Sequence, residues 1–184
     1  TALLFTALTG FGTLMFGSVG RGMWQHTGAI MFLSIALYLL YDDPEKNSFL
    51  IGLNLGLMVC TRVSNILIAA PIAIFMLVNH RKNILRFIIG AGIPAALLML
   101  YSQVYWGNPL LLGQKHTLTG FTDGNIITGF LGLMISPARG LLVFTPVFIF
   151  SLIYMVKTLR QFDKRKIEPY LAISILLIIL LVSQ

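Results

Sequence analysis

Four cations and one carboxylate could do chemistry together: Arg21, Arg62, Lys115 and Arg139, with Asp123. Near them in the chain stand Trp24, Gln25, His26, Asn65, Trp106, Asn108, His116 and Asn125. A surplus of positive charge with amide and imidazole groups suits an anion such as a lipid phosphate or pyrophosphate. Arginine holds such a group with two parallel hydrogen bonds, and lysine acts as a point charge. Lys115, His116 and Asp123 fit proton transfer, but they equally fit a solvated loop, in which Asp123-Gly124 is a turn. No metal-binding set is present: His26, His80 and His116 are scattered, and the single Cys60 lies inside an apolar run. No glycine-rich motif for a phosphate or a cofactor occurs.

Each candidate has two readings. Arg139 lies in Ser136-Pro137-Ala138-Arg139-Gly140, just before an apolar run. It fits a phosphate ligand at a helix N-terminus, where free N–H groups and the dipole add attraction. It also fits an arginine that lays its stem along the apolar surface and marks the interface. Arg62 separates two short apolar segments. Ionisable groups at a membrane edge are functional candidates, yet an arginine there can also cap the carbonyls of the preceding helix. Trp24 suits the aromatic belt of a bilayer. His26 offers an imidazole for proton exchange, or serves as an ordinary hydrogen-bonding residue.

The elements that must position these residues are apolar helices. Of 184 residues, 57% are hydrophobic and 10% charged, and mean hydropathy is +0.88. A soluble domain carries about 25% charged residues. The expected class is therefore an all-α, polytopic transmembrane bundle. The net charge of +7 does not indicate nucleic acid, because the basic residues sit in short clusters between apolar runs, as topology signals do. Those runs are 1–17, 28–41, 48–61, 63–79, 84–105, 140–156 and 169–183, about seven spans with several short ones. Pro44 and Pro169 suit helix starts, whereas Pro71, Pro94 and Pro146 fall inside spans and should kink them. Gly52 and Gly56 form a GxxxG pair, read as helix packing.

Residues 48–79 are ambiguous. A single helix of that length would exceed the ~30 Å hydrocarbon core. Two short antiparallel helices turning at Thr61–Asn65 also spare Arg62 the cost of burial in lipid. The basic groups 81, 82, 86 and 157, 160, 164, 165, 166 are separated by two spans, so they share one side, expected to be cytoplasmic. The long Trp106–Arg139 loop is then external, with residues 126–136 along the interface. With the hairpin, nine Lys/Arg lie inside and four, at 21, 62, 115 and 139, outside. The N-terminus TALLFTALTGFG has no basic n-region or cleavage site, and the chain ends in an apolar run. Residues 1–184 are expected to be a single transmembrane domain cut from a longer protein.

In this order four segments carry a resemblance. Arg21-x-x-Trp24-x-His26 resembles an S/R-x-x-W-x-H segment, and Gly56-Leu-Met-Val-Cys-Thr-Arg62-Val-Ser-Asn65 resembles a "G…TRPTN" element. Tyr105-Trp-Gly-Asn-Pro109 is similar to "Y-x-x-FGNP", and Ser136-Pro-Ala-Arg-Gly140 with Phe144-Thr-Pro146 is similar to "SPxRGL…YSPV". The family so resembled is the GT-C-type membrane glycosyltransferases, similar to protein O-mannosyltransferases and aminoarabinose transferases, over residues 18–150. The resemblance implies transfer of a sugar from a polyprenyl-phosphate donor on the external face of a bacterial plasma membrane, without cofactor. It implies a carboxylate base upstream of this chain, so Asp123 is not assigned that role. It leaves Arg62 and Arg139 to stabilise donor phosphate, with Trp24, His26, Lys115 and His116 nearby. Val63-Ser64 departs from the family pattern by lacking its proline. The competing class is a transporter or lipid flippase whose cationic patch binds an anionic substrate and whose proline-interrupted spans act as gates.

Overall fold

The computed structural model describes residues 3, 6, 25–109, 126–136, 141–145 and 148–182. Arg21, Trp24, Lys115, His116, Asp123, Asn125, Arg139 and Pro146 lie outside the described residues. The described chain is helical throughout, with no strand. It divides into two compact units, Gln25–Gly120 and Thr1–Trp24 with Phe121–Gln184.

The first unit holds α1 (Gln25–Asp42), α2 (Ser48–Thr61), α3 (Ile66–Asn79) and α4 (Ile84–Trp106). Short 3-10 turns, Val63–Asn65 and Arg81–Asn83, join the last three. The polar interruption at Thr61–Asn65 does break the 48–79 region: Arg62 is extended, with φ −160° and ψ 125°. The direction of travel then follows from contacts. Gly28 of α1 faces Thr61, at the opposite end of α2, so α1 and α2 run antiparallel. Gly52 faces Phe87 and Ala91, Gly56 faces Ala91 and Pro94, and Cys60 Sγ reaches the Pro94 carbonyl at 3.4 Å. Both sets of numbers rise together, so α2 and α4 are parallel. The chain must return between them, and α3 does so: His80 Nδ1, just past α3, lies 3.4 Å from Glu45 Oε1, just before α2.

Helix α2 is the centre of this unit. Ile51, Leu55 and Met58 are buried, as are Ala36 and Leu40 of α1 and Phe87 of α4, and α2 packs on both of those helices. The GxxxG pair does the packing that its spacing predicts. A methyl on Gly52 would press on the Phe87 carbonyl and lie 3.1 Å from Ala91 N; one on Gly56 would lie 2.9 Å from Ala91 O. On α4, Gly90 meets the α2 backbone at Phe49 and Leu53 in the same way. Small residues thus let two backbones touch.

The outward face of α4 is apolar. Leu85, Ile89, Ile93, Leu97, Leu100 and Val104 recur at helical spacing and are all exposed. The segment Arg81–Trp106, of 26 residues with mean hydropathy 2.0, is long and apolar enough to cross a membrane. Only 17% of its apolar window is buried, unlike the core helix of a soluble protein. Helices α1, α2 and α3 are apolar but shorter; at 14 residues, α2 and α3 are each about 21 Å long.

The second unit holds α5 (Ile126–Ile135), α6 (Leu141–Phe144), α7 (Phe148–Arg160) and α8 (Glu168–Val182). Residues 140–156 are not one continuous helix. Helix α6 ends after one turn and α7 begins at Phe148. A proline at 146 removes an N–H and disfavours helical backbone at Thr145 before it. Helix α7 then runs on through Lys157 and Arg160, beyond the apolar run.

Candidate functional site

Arg62 is held by a turn that does not need its side chain. The Met58 carbonyl, left open by the end of α2, accepts Thr61 Oγ1 at 2.7 Å and Asn65 Nδ2 at 3.0 Å. Asn65 Nδ2 also lies 3.3 Å from Thr61 Oγ1, and Asn65 N–H donates to the Arg62 carbonyl. The capping role open to Arg62 is therefore filled by Thr61 and Asn65. Arg62 as a residue is half-buried, and it makes no ion pair with any described residue. Asn65→Ala removes the donor that spans the turn and is expected to cost about 1 kcal/mol. Thermal unfolding of the full-length protein in detergent measures it.

Beside this turn an apolar cavity of about 450 Å³ opens between α2, α3 and α4, within the usual range for ligand pockets. Small residues open the space, Gly56 and Cys60 from α2, Ala69 and Ala73 from α3, Ala91 and Ala95 from α4, between larger ones such as Leu55, Phe87 and Met99. Val63 and Ile66, on either side of the Arg62 turn's end, line the same cavity, as does Pro109. Pro109 is placed by the end of α4. Gly107 takes a left-handed conformation, φ +68°, and its N–H returns to the Gln103 carbonyl at 3.0 Å. This is a helix C-cap that favours glycine, and it explains why a Gly-Asn-Pro sequence stands here.

The ends of this unit differ in charge. Glu45, Lys46, His80, Arg81 and Lys82 gather where α2 begins and α3 ends. Arg62 stands where α2 ends, and His26 stands two residues before Gly28, which faces Thr61. His26 is exposed. Of the six sequence candidates, then, Arg62 and His26 are described and belong to one end of one unit; Trp24, Lys115, His116 and Arg139 lie outside the described residues. Trp106 is exposed at the end of α4. Among the described residues no cluster could hold a metal ion.

Sequence reasoning did not identify the cavity. Its signal is the alanine and glycine content of α3 and α4 in runs otherwise made of Leu, Ile and Met. Arg62 itself does not line the cavity, but it stands in the chain between Cys60 and Val63, which do; a cation next to an apolar slot is a combination that suits an amphiphile with a charged head. No protein-family model, characterised protein or solved structure matches the chain.

Proposed function

We propose that the chain is the donor-binding part of a multi-pass membrane glycosyltransferase. It would transfer a sugar from a polyprenyl-phosphate donor to an acceptor on the external face of a bacterial plasma membrane. One observation carries this reading: Arg62 is half-buried, free of capping duty and without an ion pair among the described residues, at the edge of an apolar cavity. The cavity would take the first isoprenoid carbons, and Arg62 the phosphate. As the sugar leaves, charge builds on that phosphate, and a fixed cation beside it lowers the barrier. Arg139, Lys115, His116, Trp24 and His26 belong to the same proposed face.

The membrane part of the proposal covers all the long apolar runs, not α4 alone. The charge difference between the two ends of the first unit supports it, with Arg81 and Lys82 on the cytoplasmic side. In a Cys60→Ser background, intact cells should label Ser64→Cys with a membrane-impermeant maleimide and leave Glu45→Cys unlabelled. Labelling at position 45 from outside would reverse the assignment.

The functional test uses the full-length protein and a radiolabelled polyprenyl-phosphate sugar. Release of polyprenyl phosphate with loss of the sugar is the expected result. Intact donor moved between leaflets of a vesicle, with no release, would replace the transferase by a flippase.

A further inference from the structure

At the other unit, a pocket of about 240 Å³ lies between the end of α7 and the start of α8. Tyr154, Lys157, Thr158 and Gln161 of α7 and its following turn line one wall; Lys166, Glu168 and Pro169 line the other. The pocket lining is mixed, polar and apolar in similar measure, whereas the cavity beside the Arg62 turn is almost wholly apolar. One carboxylate oxygen, Glu168 Oε2, is closed off from solvent and accepts no hydrogen bond from a described residue. A buried acceptor without a donor is rare and costly. Lys157 and Lys166 make no ion pair with a described residue.

The loop that sets these groups is built, not loose. Asp163 Oδ1 accepts the Arg165 N–H at 3.0 Å, and Lys166 N–H donates to the Asp163 carbonyl at 3.1 Å. Tyr170 Oη donates to the Lys164 carbonyl at 3.4 Å, and its ring lies 5.8 Å from that of Phe162. Ile167, Pro169 and Tyr170 are buried beneath. The turn between α7 and α8 is thereby fixed with Lys166 and Glu168 on the same wall of the pocket.

The geometry points to a headgroup site for an anionic phospholipid that carries a free hydroxyl, such as a phosphatidylglycerol, on the cytoplasmic side. Lys157 and Lys166 take the phosphodiester. Thr158 and Gln161 offer neutral hydrogen bonds. Glu168 Oε2 accepts from the glycerol hydroxyl, which supplies the donor it lacks. Net charge decides between lipids. The segment 157–168 has five cations (157, 160, 164, 165, 166) against Asp163 and Glu168, so three positive charges are left over. That surplus favours a headgroup of net negative charge over a zwitterion. The inference rests on the membrane reading above and is independent of sugar transfer.

The test is lipid titration of the purified full-length protein in detergent, read by native mass spectrometry and by thermal shift. Phosphatidylglycerol should bind and stabilise, and phosphatidylcholine should not. The K157Q/K166Q double variant should weaken binding by about thirtyfold, while K157R/K166R keeps it and shows that the fold is intact. With Glu168→Ala, phosphatidylglycerol should lose its advantage over phosphatidylmethanol, which has no glycerol hydroxyl. Equal binding of phosphatidylglycerol and phosphatidylcholine would overturn the site. So would an unchanged double variant, or free glycerol 1-phosphate binding as tightly as the lipid. An unchanged lipid ratio in Glu168→Ala would show that Glu168 pairs with a lysine instead, and would overturn the hydroxyl contact. Resistance of the protein to carbonate extraction from membranes tests the membrane reading separately. Donor turnover by K157Q/K166Q should match wild type.

Discussion

Replacing Arg62 with alanine in the full-length protein is expected to lower release of polyprenyl phosphate from its sugar donor by about 10²–10³-fold. That is the usual cost of deleting one fixed group that stabilises charge developing in the transition state. The fall should appear mainly in kcat, because the charge on the phosphate grows as the sugar departs. Arg62→Lys should recover part of the rate: it keeps the charge but loses the planar two-pronged donor. Structure should survive both changes, since the Met58 carbonyl is capped by Thr61 and Asn65. This separation makes the experiment informative. A well-expressed Arg62→Ala protein with wild-type turnover would remove Arg62 from the site. Arg139→Ala, chosen from sequence, is expected to act in the same direction.

A second large effect is expected at Gly52. Gly52→Leu should abolish folding of the first unit, and Gly52→Ala should cost about 3 kcal/mol, near the upper end for overpacking. A Cβ at this position meets the Phe87 carbonyl and lies 3.0 Å from the Phe87 carbonyl carbon. Those atoms are backbone, so no side-chain rotation relieves the clash; α4 itself must move. The control is Gly92→Ala, directly after Ala91 on the same partner helix but on another face. A Cβ there meets nothing within 4 Å, so its removal of backbone freedom should stabilise by about 0.5–1 kcal/mol. Thermal unfolding of both variants in one detergent gives the comparison. Equal melting temperatures would mean that α2 and α4 do not touch through Gly52.

Much of the first unit was legible. Thr61, Arg62, Ser64 and Asn65 cluster inside a 32-residue stretch whose other polar residues, Ser48, Asn54 and Asn79, are isolated, and the backbone turns at that cluster. The 84–105 run corresponds to α4 within a residue at either end. Gly52 and Gly56 announced close packing, although not the partner, because on α4 the positions at that spacing, Gly90 and Pro94, hold only one glycine. The second unit was less legible. Apolar runs report where burial in lipid is favourable, whereas a helix ends where its backbone loses partners. Lysine and arginine are good helix formers, so α7 continues through Lys157 and Arg160, and the end of the run at residue 156 says nothing about it. At the other end, Pro146 outweighed hydropathy and split the run.

The site was half legible. Arg62 is conspicuous because a charge among apolar residues is expensive. The cavity beside it is not, since helices that are apolar all round carry no pattern to show which face meets which neighbour. Ala69, Ala73, Ala91 and Ala95 become a wall only once α3 is known to return alongside α4. Glu168 is hidden for a related reason: at the start of a helix an acidic residue suits the dipole, and nothing in that position announces an oxygen without a donor.

The parallel pairing of α2 and α4 also orders events in time. Gly52 and Ala91 are 39 positions apart (91 − 52), and the antiparallel α1–α2 pair precedes them in the chain. Domains form from the N-terminus during synthesis, so α2 can join α1 while α4 is still unmade. Through that interval the face of α2 awaiting its partner shows the glycines Gly52 and Gly56, which offer little apolar surface for a wrong contact. The same two residues that let the backbones touch at the end therefore keep α2 from sticking elsewhere during the wait.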